Sequence, residues 1–257
     1  MKNLSLKIFA LILLAVQISQ AAPEATYYRV FQGFKKPSLS SAQFLNILPD
    51  FMNATTSLYG DVLNEYHVAI PPQNKPSFIP DEFALVSLSS EAEYRAMRAT
   101  PEGQNYSAAH WDVFDKDTSK SLPLEPGIPN VLVSQTAYNV IGEPNDWSSG
   151  ATLFYVGTRK SHIRKTDFLE KLSQHILQVE MAFKPYGLKG YIVIADENYE
   201  VAYMNWTSYE DMEYALLAPE GKRILRTADS MMDTLQWNGE SAFQGNSVMQ
   251  NRFYRTK

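Results

Sequence analysis

Hydrophobic residues along the chain alternate between short runs typical of β-strands and the three-to-four-residue spacing typical of helices. The same order of strands and helices occurs twice. Runs rich in aromatic and β-branched residues, which favour strands, begin near residues 27, 63 and 82 in the first half. Between the first two runs, apolar residues recur every three or four positions and predict one buried helix face. That face consists of Phe44, Leu45, Leu48, Phe51, Met52 and Leu58. Each half is therefore predicted to follow the order β-α-β-β-α-β.

Polar and glycine residues mark the predicted helix boundaries. A serine at position 40 or 41 and Thr166 are predicted to cap the long helix of each half, because their hydroxyl oxygens accept bonds from free backbone donors. Tyr-Gly pairs at 59–60 and 186–187 are predicted to end these helices. Pro49 lies inside the first of them and predicts a kink.

One stretch occurs twice without a gap. Residues 82–103 and 200–221 align at a shift of 118 positions, which carries Glu82 onto Glu200. Ala84 and Ala202, Ser90 and Ser208, and the Pro-Glu-Gly triplets that end each stretch coincide as well. A strand, a cap, a helix and a helix break therefore recur in one order, which indicates a duplicated supersecondary unit.

The duplication predicts the fold class, α+β, and the domain organisation. Right-handed connections place both helices of a βαββαβ unit on one face of a four-stranded antiparallel sheet. Two copies can bury their remaining sheet faces against each other. We predict one repeat over 22–124, a linker rich in Gly and Pro over 125–150 with a short strand at 131–133, and a second repeat with a C-terminal tail over 151–257.

The first 21 residues have the pattern of a secretory signal. Lys2 and Lys7 precede an apolar run over 8–16, and small residues occupy positions 19 and 21. The run is too short to span a bilayer, although an uncleaved anchor is the alternative. No later stretch has twenty apolar residues, so no stable membrane insertion is expected after cleavage. The expected location is a secreted or periplasmic one.

Composition narrows the class of protein further. The chain has 257 residues, of which 45% are apolar and 20% charged, as in ordinary globular proteins. Its formal charge of −5 argues against sequence-independent nucleic-acid binding. It has no cysteine, which excludes disulfides and thiol chemistry and, with a signal, suits a bacterial periplasm.

The double βαββαβ pattern resembles the dimeric α+β barrel families, fused here into one chain. The resemblance is carried by Tyr59-Gly60, the strand and helix that follow as EFALVSLSSEAEYRAM, and the Pro-Glu-Gly break. These families include antibiotic-biosynthesis-type monooxygenases, haem-degrading monooxygenases and uncharacterised barrel proteins. The resemblance implies two tandem ferredoxin-like repeats that form an intramolecular dimeric α+β barrel. Further association into a homo-oligomer is left open.

The resemblance also implies candidate catalytic residues. Monooxygenase-like members place an Asn on the first strand, a Trp on the third and a His about ten positions later. Asn205 and Trp206 lie on the third predicted strand of the second half, but Leu216 stands ten positions on. In the first half, Leu88 and Arg98 occupy the Trp and His positions. Asn205 and Trp206 are therefore catalytic candidates, and haem degradation by this constellation is doubtful.

Aromatic residues on the predicted strands suggest an apolar pocket with polar groups at its edge. The alternative is that they fill the barrel interior. His110, on the second helix beside Trp111, is a candidate haem ligand or acid–base group, or else a helix histidine covered by aromatics. The candidate ligand-binding residues are Tyr155, Tyr191, Tyr203, Trp206, His110 and Trp111.

Basic residues crowd the loop before the helix of the second half. Arg159, Lys160, Arg164 and Lys165 predict an anion site at a helix start, with a solvated charge run as the alternative. His175 is expected to lie on the solvated side of that helix. Because no histidines or carboxylates have metal-ligand spacing, no metal site is predicted.

These patterns lead to one functional prediction and two alternatives. The leading prediction is a secreted or periplasmic barrel that binds a small apolar or aromatic molecule and has no complete catalytic set or resident cofactor. The first alternative is a cofactor-free monooxygenase that acts on an activated aromatic through Asn205 and Trp206. The second is a haem-binding protein that uses His110.

Overall fold

The computed structural model describes residues 26–72, 74–142, 145–147, 149–237, 240–241 and 249–254, and of the last two ranges and 236–237 only the backbone. The predicted signal at 1–21 lies outside these ranges. No helix within them is long and apolar enough to cross a bilayer.

The first half contains the four strands and the helices that the hydrophobic spacing predicts, in the predicted order. These elements are β1 (Tyr27–Gly33), α1 (Ser41–Tyr59), β2 (Leu63–Ala69), β3 (Glu82–Leu88), α2 (Glu91–Ala99), α3 (Pro101–Val113) and β4 (Lys120–Pro126). A short strand, β5 (Thr136–Asn139), follows in the segment between the halves.

The second half repeats this order. Its elements are β6 (Ala151–Arg159), α4 (Lys165–Phe183), β7 (Leu188–Ala195), β8 (Tyr199–Trp206), α5 (Tyr209–Leu217), α6 (Pro219–Met231) and β9 (Met232–Thr234). The tail adds β10 (Gln236–Trp237), β11 (Glu240–Ser241) and β12 (Met249–Tyr254). The helices match in length between the halves, at 19, 9 and 13 residues, as expected for a duplication.

Ten strands form one continuous sheet in the order β12-β2-β3-β1-β4-β5-β7-β8-β6-β9. Each half contributes the ferredoxin-like order, with its first and third strands at the centre, and these pairings are antiparallel. β5 adds to β7 of the second half, and β12 adds to β2 of the first half. Each half therefore sends the strand after its repeat to the corresponding edge of the other half. The predicted α+β fold of two tandem repeats is confirmed.

The sheet faces that carry no helices pack against each other. Alternate residues of the strands, including Val30, Phe83 and Leu85 from the first half, meet Phe154, Val156 and Tyr203 from the second in one buried cluster. We call this cluster the barrel interior. Burying each large apolar side chain contributes about 1.5–3 kcal/mol, so the shared interior is the main reason for the two halves to associate.

Most predicted caps are confirmed. Ser40 forms a capping box with Gln43, and Ser90 and Ser208 cap α2 and α5. The prediction for Thr166 was wrong, because α4 begins at Lys165 after an Arg164 that makes no side-chain cap bond. Helix α1 runs through Pro49 to its end at Tyr59.

One strand prediction also needs correction. Residues 131–133 form no strand: Val131 and Val133 are exposed, and the chain turns at Gln135, which has φ 61°, before β5 begins. The last helix of the second half, α6, ends at Met231, because the fourth strand of the repeat, β9, begins at Met232.

The Pro-Glu-Gly triplets have the same geometrical role in both halves. Each proline starts the second of two consecutive helices, after breaks at Thr100 and Ala218. A Cβ on Gly103 would overlap the carbonyl oxygen of Met97, and one on Gly221 would overlap that of Ala215. The two contacts are equivalent under the shift of 118 positions between Glu82 and Glu200. Only glycine fits where these helices meet.

We predict that Gly103→Ala and Gly221→Ala each destabilise the protein by about 1–3 kcal/mol, because the added methyl group overlaps a backbone carbonyl that cannot move without its helix. Gly142→Ala is the control, since a Cβ there has nothing within 4 Å. Urea unfolding of the three variants measures the difference. Equal stability of all three would contradict the close-approach explanation.

Candidate functional site

A cavity lies between the sheet and the helices of the first half. Its volume is about 230 Å³, and it is lined by residues of all four strands and all three helices of that half. We call it the first-half cavity. Its aromatic lining consists of Phe31, Phe51, Tyr59, Tyr66, Tyr94, Tyr106, His110 and Trp111. Its polar lining consists of Arg29, Thr55, Glu82, Arg98, Ser107 and Ser121.

Packing between α1 and α3 holds the aromatic wall in place. The Phe51 and Tyr106 rings stack with centroids 5.3 Å apart, and the His110 ring meets them edge-on at 4.6 and 4.5 Å. Tyr106 also shares a short hydrogen bond with Thr55 of α1. Because these contacts join two helices, the wall is a rigid surface.

His110 is neutral at physiological pH. Burial lowers its pKa to about 4, and the nearby Arg98 acts in the same direction. Its Nδ1 lies 3.0 Å from the Tyr106 carbonyl oxygen. A carbonyl can only accept, so Nδ1 must carry the proton and Nε2 is left as a hydrogen-bond acceptor. The sequence left two roles open for His110, a functional group or a histidine covered by aromatics. The structure combines both positions, since the His110 ring packs on aromatic side chains and also lines the cavity.

Glu82 supplies a carboxyl group to the cavity lining. The residue is only 1% exposed, and its Oε2 has no hydrogen-bond partner within the described residues. Burial raises the pKa of Glu82 to about 8. The group is therefore mostly protonated at neutral pH and can donate a hydrogen bond.

Two arginines lie at the partly exposed side of the cavity. Arg29 donates from Nε and Nη2 to the hydroxyl and carbonyl oxygens of Ser121, at 2.9 and 2.6 Å, and from Nη1 to Tyr27 Oη at 2.6 Å. The Tyr94 ring lies 5.3 Å from the Arg29 guanidinium and 6.0 Å from that of Arg98. Both cations are thus held against aromatic side chains at the entrance.

The second half has the equivalent site in a nearly closed form. Its cavity measures about 20 Å³ and lies among Tyr155, His175, Phe183, Tyr191 and Glu200. Strand register fixes the correspondence between the halves, since Tyr27 pairs with Leu88 and Ala151 pairs with Trp206. Tyr155 therefore corresponds to Phe31, His175 to Phe51 and Ala228 to His110.

Bulky apolar residues fill the second cavity. Trp206 stands where the first half has Leu88, and Met204 stands where it has Val86. Trp206 is fully buried, and its ring lies 5.2 Å from that of Phe183. Duplication has therefore left one open cavity and one filled one.

The buried carboxyl is common to both halves. Glu200 is 1% exposed, and burial raises its pKa to about 8, with a hydrogen bond from Tyr191 acting against that rise. Tyr66 of the first half corresponds to Tyr191 and lies near Glu82. Since the Glu–Tyr arrangement persists where the cavity is filled, it belongs to the repeat as such.

The predicted solvation of His175 was wrong. The residue is only 5% exposed, and burial lowers its pKa to about 4. Helix α4 packs on α6 as well as on the sheet, so its buried face is wider than its apolar stripe.

The structure separates the predicted ligand-binding residues into three places. His110 and Trp111 line the first-half cavity. Tyr155, Tyr191 and Trp206 are buried in the core between sheet and helices of the second half. Tyr203 points the other way, into the barrel interior.

The catalytic candidates Asn205 and Trp206 are on opposite faces of β8. Asn205 is fully buried and donates from Nδ2 to Thr152 Oγ1 at 2.9 Å and to the Ser149 carbonyl at 3.1 Å. Its Oδ1 accepts from Asn145 at 3.0 Å. The side-chain amide of Asn205 therefore links β8 to β6 and to the loop that precedes β6.

The four residues of the predicted anion site already have partners within the chain. Arg164 makes two 2.8 Å bonds to Asp167, and Lys165 pairs with Glu197. Arg159 donates to the Glu197 carbonyl at 2.8 Å, and Lys160 donates to that of Asp229. Within the described ranges, no group of three or more acidic or histidine residues is placed to hold a metal ion.

Sequence reasoning missed Arg29, Glu82 and Arg98 as site residues. The repeat held a signal for two of them, because the shift of 118 positions aligns Glu82 with Glu200 and Arg98 with Leu216. Arg29 corresponds to Leu153 only through strand register, since Arg29 pairs with Val86 and Leu153 pairs with Met204. Residues that the two repeats share are those that the fold of the unit requires. Residues that differ between the repeats indicate a role that only one repeat has.

No protein-family model and no curated protein matches the chain. Two crystal structures described as "putative monooxygenase" are similar over most of its length. The one from Lactobacillus acidophilus has 11% identity and a TM-score of 0.42, and covers 83% of this chain and 94% of its own. The one from Fusobacterium nucleatum has 13% identity and a TM-score of 0.41, and covers 91% and 99%.

A single-repeat protein is similar to part of the chain. A dimeric protein of unknown function with a ferredoxin-like fold, from Bacteroides fragilis, has 9% identity and a TM-score of 0.32, and covers 39% of this chain and 95% of its own. By its own topology, the present chain is an α+β barrel protein of two tandem ferredoxin-like repeats. Its candidate site is the cavity of about 230 Å³ in the first repeat, whose counterpart in the second repeat measures about 20 Å³.

The two buried carboxyls predict a dependence of stability on pH. Their pKa is about 8 in the folded protein and 4.5 ordinarily, so the folded state binds more protons between these values. The free energy of unfolding then falls as pH rises, by about 1 kcal/mol per pH unit for each carboxyl. His110 and His175 act oppositely, but only between about 4 and their ordinary 6.5.

We therefore predict a smaller loss of stability between pH 6.5 and 8 in Glu82→Gln than in the unmodified protein, and a smaller loss again when Glu200→Gln is added. Urea unfolding across this range measures the slope. Glu102→Gln, at an exposed position of α3, serves as the control. A slope unchanged by both substitutions would show that neither carboxyl is held protonated.

Proposed function

We propose that the protein binds a small aromatic molecule in the first-half cavity. The observation that carries the proposal is the difference between the repeats. One copy encloses about 230 Å³ among aromatic side chains, and the other keeps about 20 Å³ in the equivalent place and has a buried tryptophan at the position of Leu88. A cavity leaves its lining without packing partners, so an open one is costly unless something occupies it.

The volume limits the size of the ligand. An apolar cavity of about 150 Å³ takes up benzene. The first-half cavity therefore has room for a substituted single ring or for two fused rings. Drug-sized ligands and cofactors occupy about 300–1,000 Å³. A porphyrin does not fit beside His110, so the haem alternative finds no support in this space.

The lining also limits the chemistry of the ligand. Rigid aromatic faces from Phe51, Tyr106 and His110 suit stacking or edge contacts with another ring. His110 Nε2 offers an acceptor, and protonated Glu82 offers a donor. A ring with one or two polar substituents meets both conditions better than a purely aliphatic molecule does.

The monooxygenase alternative depended on Asn205 and Trp206 acting together. Because β8 places their side chains on opposite faces, one substrate cannot contact both. The proposal is therefore a binding function at the first repeat. Secretion or periplasmic location remains a prediction that depends on residues 1–21.

Copying the second half into the first provides the test. We expect Leu88→Trp to fill the cavity as Trp206 fills its counterpart, and to weaken ligand binding at least about tenfold. Isothermal titration with naphthalene-sized probes, namely 2-naphthol, indole and 2-naphthoate, measures the affinity. Leu177→Trp adds the same side chain at a partly exposed site on α4 and should bind like the unmodified protein.

Circular dichroism and thermal melting establish that Leu88→Trp is folded. The proposal fails if none of the three probes binds the unmodified protein saturably. It also fails if the folded Leu88→Trp variant binds them as tightly as Leu177→Trp does.

A further inference from the structure

We infer that the molecule bound in the first-half cavity is an aromatic carboxylate, with its ring among the cavity aromatics and its carboxylate held by Arg29 and Arg98. The inference rests on the proposed function and specifies the ligand of that same site. Its basis is the charge of the lining and the comparison of the two repeats.

The first argument is an uncompensated charge. Arg29 and Arg98 share the Tyr94 ring and line one cavity, and neither takes part in an ion pair within the described residues. All three hydrogen bonds of the Arg29 guanidinium go to uncharged oxygens. The two acidic residues of α2 have other partners, since Glu91 pairs with Arg95 and Glu93 accepts a hydrogen bond from Ser90. Two like charges held close together repel each other unless an anion joins them.

The one carboxyl that lines the cavity does not supply that anion. Glu82 is buried on β3, and burial raises its pKa to about 8, so it is mostly uncharged at neutral pH. Its orphaned Oε2 indicates that the arginines do not reach it. The lining as a whole is therefore cationic, which favours an anionic ligand.

The second argument comes from the filled cavity. The positions equivalent to Arg29 and Arg98 hold Leu153 and Leu216, both part of the second-half core. By contrast, both repeats keep the buried glutamate, the capping serine and the glycine at the helix break. Residues that the fold requires are thus present twice. The two arginines occur only in the repeat that has the open cavity. We therefore assign them to binding the ligand of that cavity.

The geometry suits a carboxylate attached to a ring. A guanidinium presents planar, paired donors that match the two oxygens of a carboxylate. The aromatic wall of Phe51, Tyr106 and His110 lies on the helix side of the same cavity and offers faces and edges to a ring. One or two rings and a carboxylate fill about the available volume.

Two probes of equal shape test the charge. 2-Naphthoate and 2-naphthamide differ in charge but barely in size. Hydrogen bonds to a charged group are stronger than neutral ones, so we expect the unmodified protein to bind 2-naphthoate at least about tenfold more tightly, with a preference that shrinks at high salt. Isothermal titration at two salt concentrations gives both quantities.

Two variants assign the effect to the arginines. Arg98→Leu and Arg29→Leu each copy the second half, and each should reduce 2-naphthoate affinity at least about tenfold while leaving 2-naphthamide affinity within about twofold. Arg98→Lys keeps the charge and should recover part of the loss. Arg95→Gln, at an exposed position of α2, removes the same charge outside the cavity and should change neither affinity.

The outcomes distinguish the two proposals. If neither probe binds, the carboxylate inference fails, and the proposed function fails with it if 2-naphthol and indole do not bind either. If the probes bind equally well, or if folded arginine variants keep the preference for 2-naphthoate, the carboxylate inference is overturned and binding of neutral aromatics stands. If an arginine variant does not fold, the comparison of the two probes on the unmodified protein decides alone.

Discussion

The structure depends on the burial of two sheet faces that have no helices of their own. In a βαββαβ unit the helices cover one face of the sheet and leave the other apolar and open to water. Here the two open faces belong to one chain and form the shared barrel interior. The exchange of β5 and β12 between the halves adds hydrogen-bonded edges to the same arrangement. Either half alone would leave this apolar face exposed to water.

This constraint explains where a ligand site can exist. Side chains of both sheets fill the barrel interior, and buried polar groups there, such as Asn205, are used to join strands. The cavities instead lie between each sheet and its own helices, where the size of a few side chains determines how much space is left. The two repeats share one topology but differ at positions such as Leu88 and Trp206, and their cavities measure about 230 and 20 Å³. Duplication allowed one copy to keep the site and the other to become a packed core.

The sequence predicted the fold well, because fold information is local or repeated. Helical spacing, serine caps and the twin Pro-Glu-Gly breaks each indicate an element within a few residues, and the shift from Glu82 to Glu200 indicates the duplication. Errors arose where tertiary packing overrides local signals. His175 is buried because α6 covers it, and Thr166 lies inside a helix that begins one residue earlier.

The site could be predicted only in part. His110 and Trp111 were identified by their residue types, but Arg29 and Arg98 come from β1 and α2 and meet only through the fold. The ligand-binding prediction included the aromatic strand residues of the second half, because large aromatic side chains often line pockets. Trp206 shows the opposite case, because this large side chain is fully buried in the half whose cavity measures only about 20 Å³.

The most direct test of the account is xenon binding in crystals of the protein. Xenon occupies apolar cavities without requiring any particular chemistry. We expect xenon density beside Phe51 and Tyr106 in the first half, and none between Trp206 and the helices of the second half. Density of similar strength at the two equivalent positions, or in the second half alone, would contradict the claim that duplication kept one cavity and filled the other.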